Sequence, residues 1–234
     1  MKEVIKYSLH DYIRSHKYFP PVSTFIVLIA VFYTYKPNPV VDSYAITALF
    51  LFVVSAWLCM SVLSLNSPVQ RQLLVLNLRS SYRYYLSKLA AVWLIALLLA
   101  VFAFLYPIIF HLFSDSVSMT VGFVSIVNHL LLAALGICIA AFFSSVMMES
   151  AINAYGGLAL TVILSIAALG IENALPASLK YITWIIPPAT ITQKPLFQWE
   201  EENLTYLSGF PFLWIMIYTG IIMVLFLIMA NRKR

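Results

Sequence analysis

Five stretches of the chain stay apolar for about twenty residues or more, at about 44–65, 86–112, 119–146, 151–171 and 210–230. A helix that crosses about 30 Å of hydrocarbon needs roughly 20 apolar residues, so each can span a bilayer. A sixth stretch, 21–35, is shorter, but Phe19 stands before it and Tyr33 and Tyr35 close it, where aromatic rings suit the two membrane interfaces. The pattern predicts an all-α membrane protein: six transmembrane helices forming a single transmembrane domain over 1–234.

The segments between these runs are patterned too. In 2–19, Ile5, Leu9, Tyr12 and Ile13 share one helical face, while Lys6, Asp11, Arg14 and Lys17 lie largely elsewhere. That spacing predicts an interfacial helix over 1–19 before Pro20-Pro21 turns the chain inward, with a solvated tail as the alternative. Segment 66–85 is basic, yet Leu73, Leu74 and Leu76 sit among its arginines, and Pro68 can open a helix. Segment 172–209 carries Leu175, Leu179, Ile182 and Ile186 at helical spacing. Pro187-Pro188 then breaks the pattern, a second short apolar piece reaches Trp199, and Glu200, Glu201 and Glu202 return the chain to water. A broken helical hairpin, re-entrant or lying in the interface, fits better than an ordinary surface loop.

Composition agrees with lipid as the solvent. The chain is 62% hydrophobic and 10% charged, more apolar surface than a soluble domain can hide. A net charge of +5 suggests nucleic acid in a soluble protein, but here its distribution explains it and no nucleic-acid partner is expected. With the N-terminus in the cytoplasm, Lys2, Lys6, Arg14, Lys17, Arg71, Arg79, Arg83, Lys88, Arg232, Lys233 and Arg234 fall inside and Lys36, Lys180 and Lys194 outside. This 11-to-3 split follows the positive-inside rule. The expected location is the plasma membrane, multi-pass, with both termini cytoplasmic. No small-residue cleavage site closes the first apolar run, so the N-terminus is expected to belong to the mature chain. Cys59 and Cys138 both lie mid-run and read as packing residues.

Catalytic and nucleotide signatures are missing. None of the seven glycines opens a phosphate loop, the four histidines show no metal-ligand spacing, and no serine stands in a nucleophile elbow. The glutamate cluster lacks the arginine that an intramembrane protease of the EExxxR type carries. The chain therefore reads as no enzyme, binding no cofactor or metal itself. Polar residues within spans carry the remaining interest. Asn128 and His129 occupy the outer half of the fourth span, where they bond a neighbouring helix or contact substrate. Asn153, Gly157, Thr161 and Ser165 repeat every four residues on the fifth span, as a close-packing seam or a pathway lining. Glu149 is the acidic residue of the inner turn between these two spans.

A surface helix, six spans with both ends inside, a basic helical loop after the second span and a broken excursion before the sixth together resemble the ABC-2 type permeases, the membrane subunits of type V ABC exporters. The likeness covers the whole chain and is one of architecture, nearest to the small separate-chain permeases of Gram-positive bacteria that export antimicrobial peptides, bacteriocins or drugs, often for self-immunity. It implies two permease chains paired through spans one and five, with Asn153, Gly157, Thr161 and Ser165 as candidate contacts. It also implies two separately encoded ATPase subunits holding ATP and Mg. The loop at 66–85 would carry a coupling helix at about 67–77, in which Leu73, Leu74 and Leu76 pack on the ATPase while Gln70, Arg71 and Arg79 meet its acidic rim, with Glu149 on the same face. The implied function is export of amphipathic peptides, drugs or lipid-like molecules. The alternative is a membrane immunity or sensor-interaction protein that binds without transporting.

Overall fold

The computed structural model describes residues 1–197, 199 and 207–232, and these are helical almost throughout. Helix α1 (Lys2–Arg14) meets α2 (Phe19–Phe32) at a bend of 80°. Then come α3 (Val40–Leu63), α4 (Pro68–Leu78), α5 (Ser81–Ile109), α6 (Met119–Phe142) and α7 (Ala151–Ala174). A 3-10 helix (Ala177–Ile185) and the short α8 (Gln193–Phe197) lead to α9 (Phe210–Arg232). Among the described residues α3, α5, α6, α7 and α9 are long and apolar enough to cross a membrane. The chain is a multi-pass membrane protein.

The stretch expected as the first span is shorter than the rest. Helix α2 has 14 residues, a rise of about 21 Å, because its last turn tightens at Tyr33 and Thr34 and prolines stand at 37 and 39. Elsewhere the helix limits differ in both directions from those drawn from hydrophobicity. Ser67, Ser80, Ser118 and Ser150 cap α4, α5, α6 and α7, each side-chain oxygen accepting from the backbone N–H three residues on. The Ser80 cap starts α5 at Ser81, so Tyr82, Tyr84 and Tyr85 are helical and not part of a loop ending at 85. Likewise α3 begins at Val40 instead of 44, α6 ends at Phe142 instead of 146, and α7 continues to Ala174 beyond 171. Apolar pattern marks the stretch that suits lipid; caps and prolines decide where backbone hydrogen bonding stops.

Helices α3 and α6 form the centre, with α5 against both. Gly136 explains their closeness: a Cβ there would overlap the Phe52 carbonyl oxygen and come within 2.6 Å of Ser55 Oγ. Ser55 donates across the crossing to the Ala133 carbonyl at 3.1 Å. Helix α9 lies on α6 and α5, α2 on α3, and α1 across the first turns of α5. Val4, Ser8 and Tyr12 are the buried stripe of α1. Of the apolar face read from sequence, Tyr12 is buried, Ile5 and Leu9 are half-buried and Ile13 is 60% exposed. Helix α7 is the outlier, touching chiefly the 3-10 helix and α6.

The excursion after α7 is a nine-residue 3-10 helix, a turn at Pro187-Pro188, and α8. The 3-10 helix leaves Leu179, Tyr181 and Ile185 exposed, whereas α8 and the adjoining Trp199 are inserted. Leu196 and Trp199 are buried among Val40, Tyr44, Ala45, Val121 and Val124, at the ends of α3 and α6. The side chain of Ile182, the acidic cluster Glu200 to Glu202, and Lys233 and Arg234 lie outside the described residues.

Candidate functional site

Helix α4 begins with a reciprocal cap. The Ser67 hydroxyl accepts from Gln70 N at 3.3 Å, the Gln70 side-chain oxygen accepts from Ser67 N at 3.1 Å, and Pro68 stands in the first turn, where no partner for its nitrogen is needed. Arg79, in the left-handed conformation at φ 53°, ends it. Gln70 is thus occupied in holding the helix together.

At 100° per residue the eleven positions divide cleanly. Val69, Leu73 and Leu76 share one face and are 65%, 62% and 71% exposed. Leu74, Val75 and Leu78 lie on the reverse face and pack against the hydrophobic core. The three leucines grouped together by sequence are therefore split: Leu74 faces the bundle, and Val69 takes its place on the outer ridge. Arg71 is on the bundle side as well, half-buried. One cavity of about 490 Å³ lies between the root of α4, Tyr84 and Tyr85 and the turn at Ser145 and Val146. A second, about 590 Å³, is lined by Arg71, Gln72, Arg79, Ser81, Tyr85 and Ala230, among others. Tyr84 donates to Asn66 Oδ1 at 3.2 Å and Asn231 Nδ2 to the Tyr82 hydroxyl at 3.4 Å, so α4, the start of α5 and the end of α9 share one end of the bundle. Glu149 is exposed in the turn after α6. Lys88, counted from sequence among the cations of the inner side, is fully buried in α5. Its ammonium has no hydrogen-bond partner among the described residues and stands 6.0 Å from the Tyr84 ring centroid.

At the other end, Asn128 and His129 are both fully buried. Asn128 exchanges contacts with the Gln193 amide, Nδ2 to Oε1 and Nε2 to Oδ1 both at 3.4 Å, and accepts from the Thr192 hydroxyl at 2.9 Å. Gln193 also donates to Thr192 at 2.9 Å. His129 has its Nδ1 2.7 Å from the Ser125 carbonyl, which can only accept, so Nδ1 carries the proton. Its Nε2 is left to accept from Thr47 on α3, 3.1 Å away. Thr190 donates to the Ser165 carbonyl of α7 at 3.3 Å. One polar cluster thus ties the excursion to α6 and α7. Asn128 and His129 were visible in the sequence as polar residues in an apolar run. Thr190, Thr192 and Gln193 were not, because nothing local to them reports partners 25, 64 and 65 residues away.

The stripe on α7 is turned largely toward its own chain. A Cβ on Gly157 would come within 2.5 Å of the Phe143 ring, and Ser165 is fully buried near Thr190. Thr161 donates to the Gly157 carbonyl at 2.8 Å, and Asn153 is exposed at the start of the helix. The open face of α7 consists of other residues, including Ile152, Tyr155, Leu160 and Ile163. Gly157 and Ser165 thus have close neighbours within the chain.

No family model, curated protein or solved structure matches the chain. Among the described residues no three His, Cys, Asp or Glu side chains converge as metal ligands, and Cys59 and Cys138 are buried free thiols. The arrangement has an apolar ridge turned outward at one end and an excursion pinned by hydrogen bonds at the other.

Proposed function

We propose that the chain is the permease subunit of an ABC exporter, driven by a separately encoded ATPase that holds ATP and Mg. The observation that carries this is α4. A capped helix of 11 residues between two candidate spans turns Val69, Leu73 and Leu76 away from the bundle, and no described residue covers them. Such a ridge exposes apolar area at a cost unless a partner covers it. Counting α2 as a first, short span gives six, with the basic end in the cytoplasm; its length calls for local thinning of the bilayer or for aromatic anchors at its ends. Two copies of the chain and two ATPase subunits would form the transporter. Its cargo would be an amphipathic peptide, a drug or a lipid-like molecule, because the spans offer apolar and aromatic surface.

The test is co-expression with any Walker-type ATPase encoded by a neighbouring reading frame, purification in mild detergent, and transport of labelled amphipathic peptides into inverted vesicles. Copurification with ATP-dependent uptake supports the reading. If no Walker-type ATPase copurifies, a non-transporting immunity or sensor-interaction protein becomes the better description.

A further inference from the structure

Arg71 and Arg79 are eight residues apart in sequence, a little over two turns, on the flank of α4 that faces the ends of α5 and α9. Together with Ser81 and Tyr85 they line the cavity of about 590 Å³, whose far wall is Ala230. The neighbouring cavity shares Arg71 and Tyr85 and adds Asn66 and Ser67. Among the described residues no carboxylate lines either space. Two guanidinium groups, Arg71 half-buried and Arg79 exposed, therefore border a space whose walls hold no anion to pair with them.

The position of the void identifies what can fill it. Its walls are the first turns of one candidate span and the last turns of another, so it opens at the height where the apolar helices meet water. That is the depth of lipid headgroups. Further along the same two helices an apolar cleft of about 400 Å³, lined by Leu86, Leu89, Met216, Gly220 and Met223 among others, offers room to acyl chains. Guanidinium groups bind phosphate oxygens in a two-pronged geometry, and tyrosine and serine hydroxyls at the same level add donors.

We propose that this cleft binds the phosphate headgroup of an anionic membrane lipid, held by Arg71 and Arg79 beside Tyr85, with its chains along α9. The site is independent of the exporter reading, since it requires only that the chain lie in a membrane. It gives the arginines of α4 a role distinct from that of the exposed ridge: they anchor the inner flank of the helix to the leaflet, and of the ridge only Leu76 borders the cleft, which leaves Val69 and Leu73 free for a partner.

The experiment is native mass spectrometry of the full-length protein in detergent, titrated in parallel with phosphatidylglycerol and phosphatidylcholine. Arg71→Gln/Arg79→Gln is compared with Arg83→Gln, which removes an exposed charge at the same end that lines neither cavity. The wild type should retain phosphatidylglycerol in preference to phosphatidylcholine. The double variant should lose that preference by roughly tenfold or more, the scale of losing charge-assisted hydrogen bonds, and Arg83→Gln should keep it. Arg71→Lys/Arg79→Lys, which retains charge and fold, should bind with intermediate strength, and it replaces the glutamine variant if that one fails to purify as a single species. Inorganic phosphate at millimolar concentration should leave the bound lipid in place. Equal retention of both lipids by the wild type, equal loss in Arg83→Gln, or displacement by inorganic phosphate would each overturn the proposal.

Discussion

If α4 docks on an ATPase through its outer ridge, truncating that ridge has a calculable cost. Burying an aliphatic side chain completely is worth about 1.5–3 kcal/mol. Val69, Leu73 and Leu76 are 65%, 62% and 71% exposed, so about two thirds of that gain remains for a partner to supply. The ridge is then worth about 1–2 kcal/mol per residue, and Leu73→Ala with Leu76→Ala should remove about 2–4 kcal/mol. In affinity this is roughly 30- to 1000-fold. The measurement is a titration of the purified ATPase against the detergent-solubilised permease, with export in vesicles as the functional readout. Leu74→Ala is the internal control: it sits one residue from Leu73 but packs on the core. It should lower the unfolding temperature and leave the dissociation constant within a few-fold of wild type. Should Leu74→Ala weaken docking as much as the Leu73/Leu76 pair, or the pair bind like wild type, the division of α4 into two faces is not the one the partner uses.

Packing and charge set three further outcomes. Gly136→Ala places a methyl group against the Phe52 carbonyl and should destabilise the fold by about 1–3 kcal/mol, visible as an earlier thermal transition in detergent; an unchanged transition would mean that α3 and α6 can separate without cost. Gly157→Leu should also destabilise, Phe143→Ala should partly restore it, and neither should change the oligomeric state; loss of the dimer in Gly157→Leu would return that residue to an interface between chains. In intact cells, cysteines replacing Lys36 or Lys180 should react with an impermeant maleimide, and those replacing Arg71 or Glu149 only after permeabilisation. The reverse pattern would invert the topology.

Five spans could be read from sequence because about twenty apolar residues in a row leave few alternatives, whereas the serine caps that set where the helices start were not read. What could not be read was facing. Leu73, Leu74 and Leu76 fall on both sides of a helix whose neighbours are set by α5 and α9, so local spacing does not say which leucine turns inward. The same holds for α7: Gly157 and Ser165 present a small-residue stripe whether the close neighbour is Phe143 of the same chain or a helix of another. Lys88 read as a topology signal because charge at the end of an apolar run usually is one; only the packing of α1 across α5 reveals its burial. The polar cluster depends on contacts 64 and 65 residues apart, which no periodicity carries.

That sequence separation has a consequence during biosynthesis. Ribosomes add about 5–20 residues per second, so α6 is complete for several seconds before Thr192 and Gln193 exist. Over that interval the carboxamide of Asn128 lacks the partners it has in the finished fold, and lipid is a poor place for it to wait. Release of α6 from the insertion machinery is therefore expected to lag until the excursion has emerged. Nascent chains stalled before residue 190 should crosslink to the translocon more strongly through α6 than chains stalled after residue 197, and replacing Asn128 with leucine should abolish the difference.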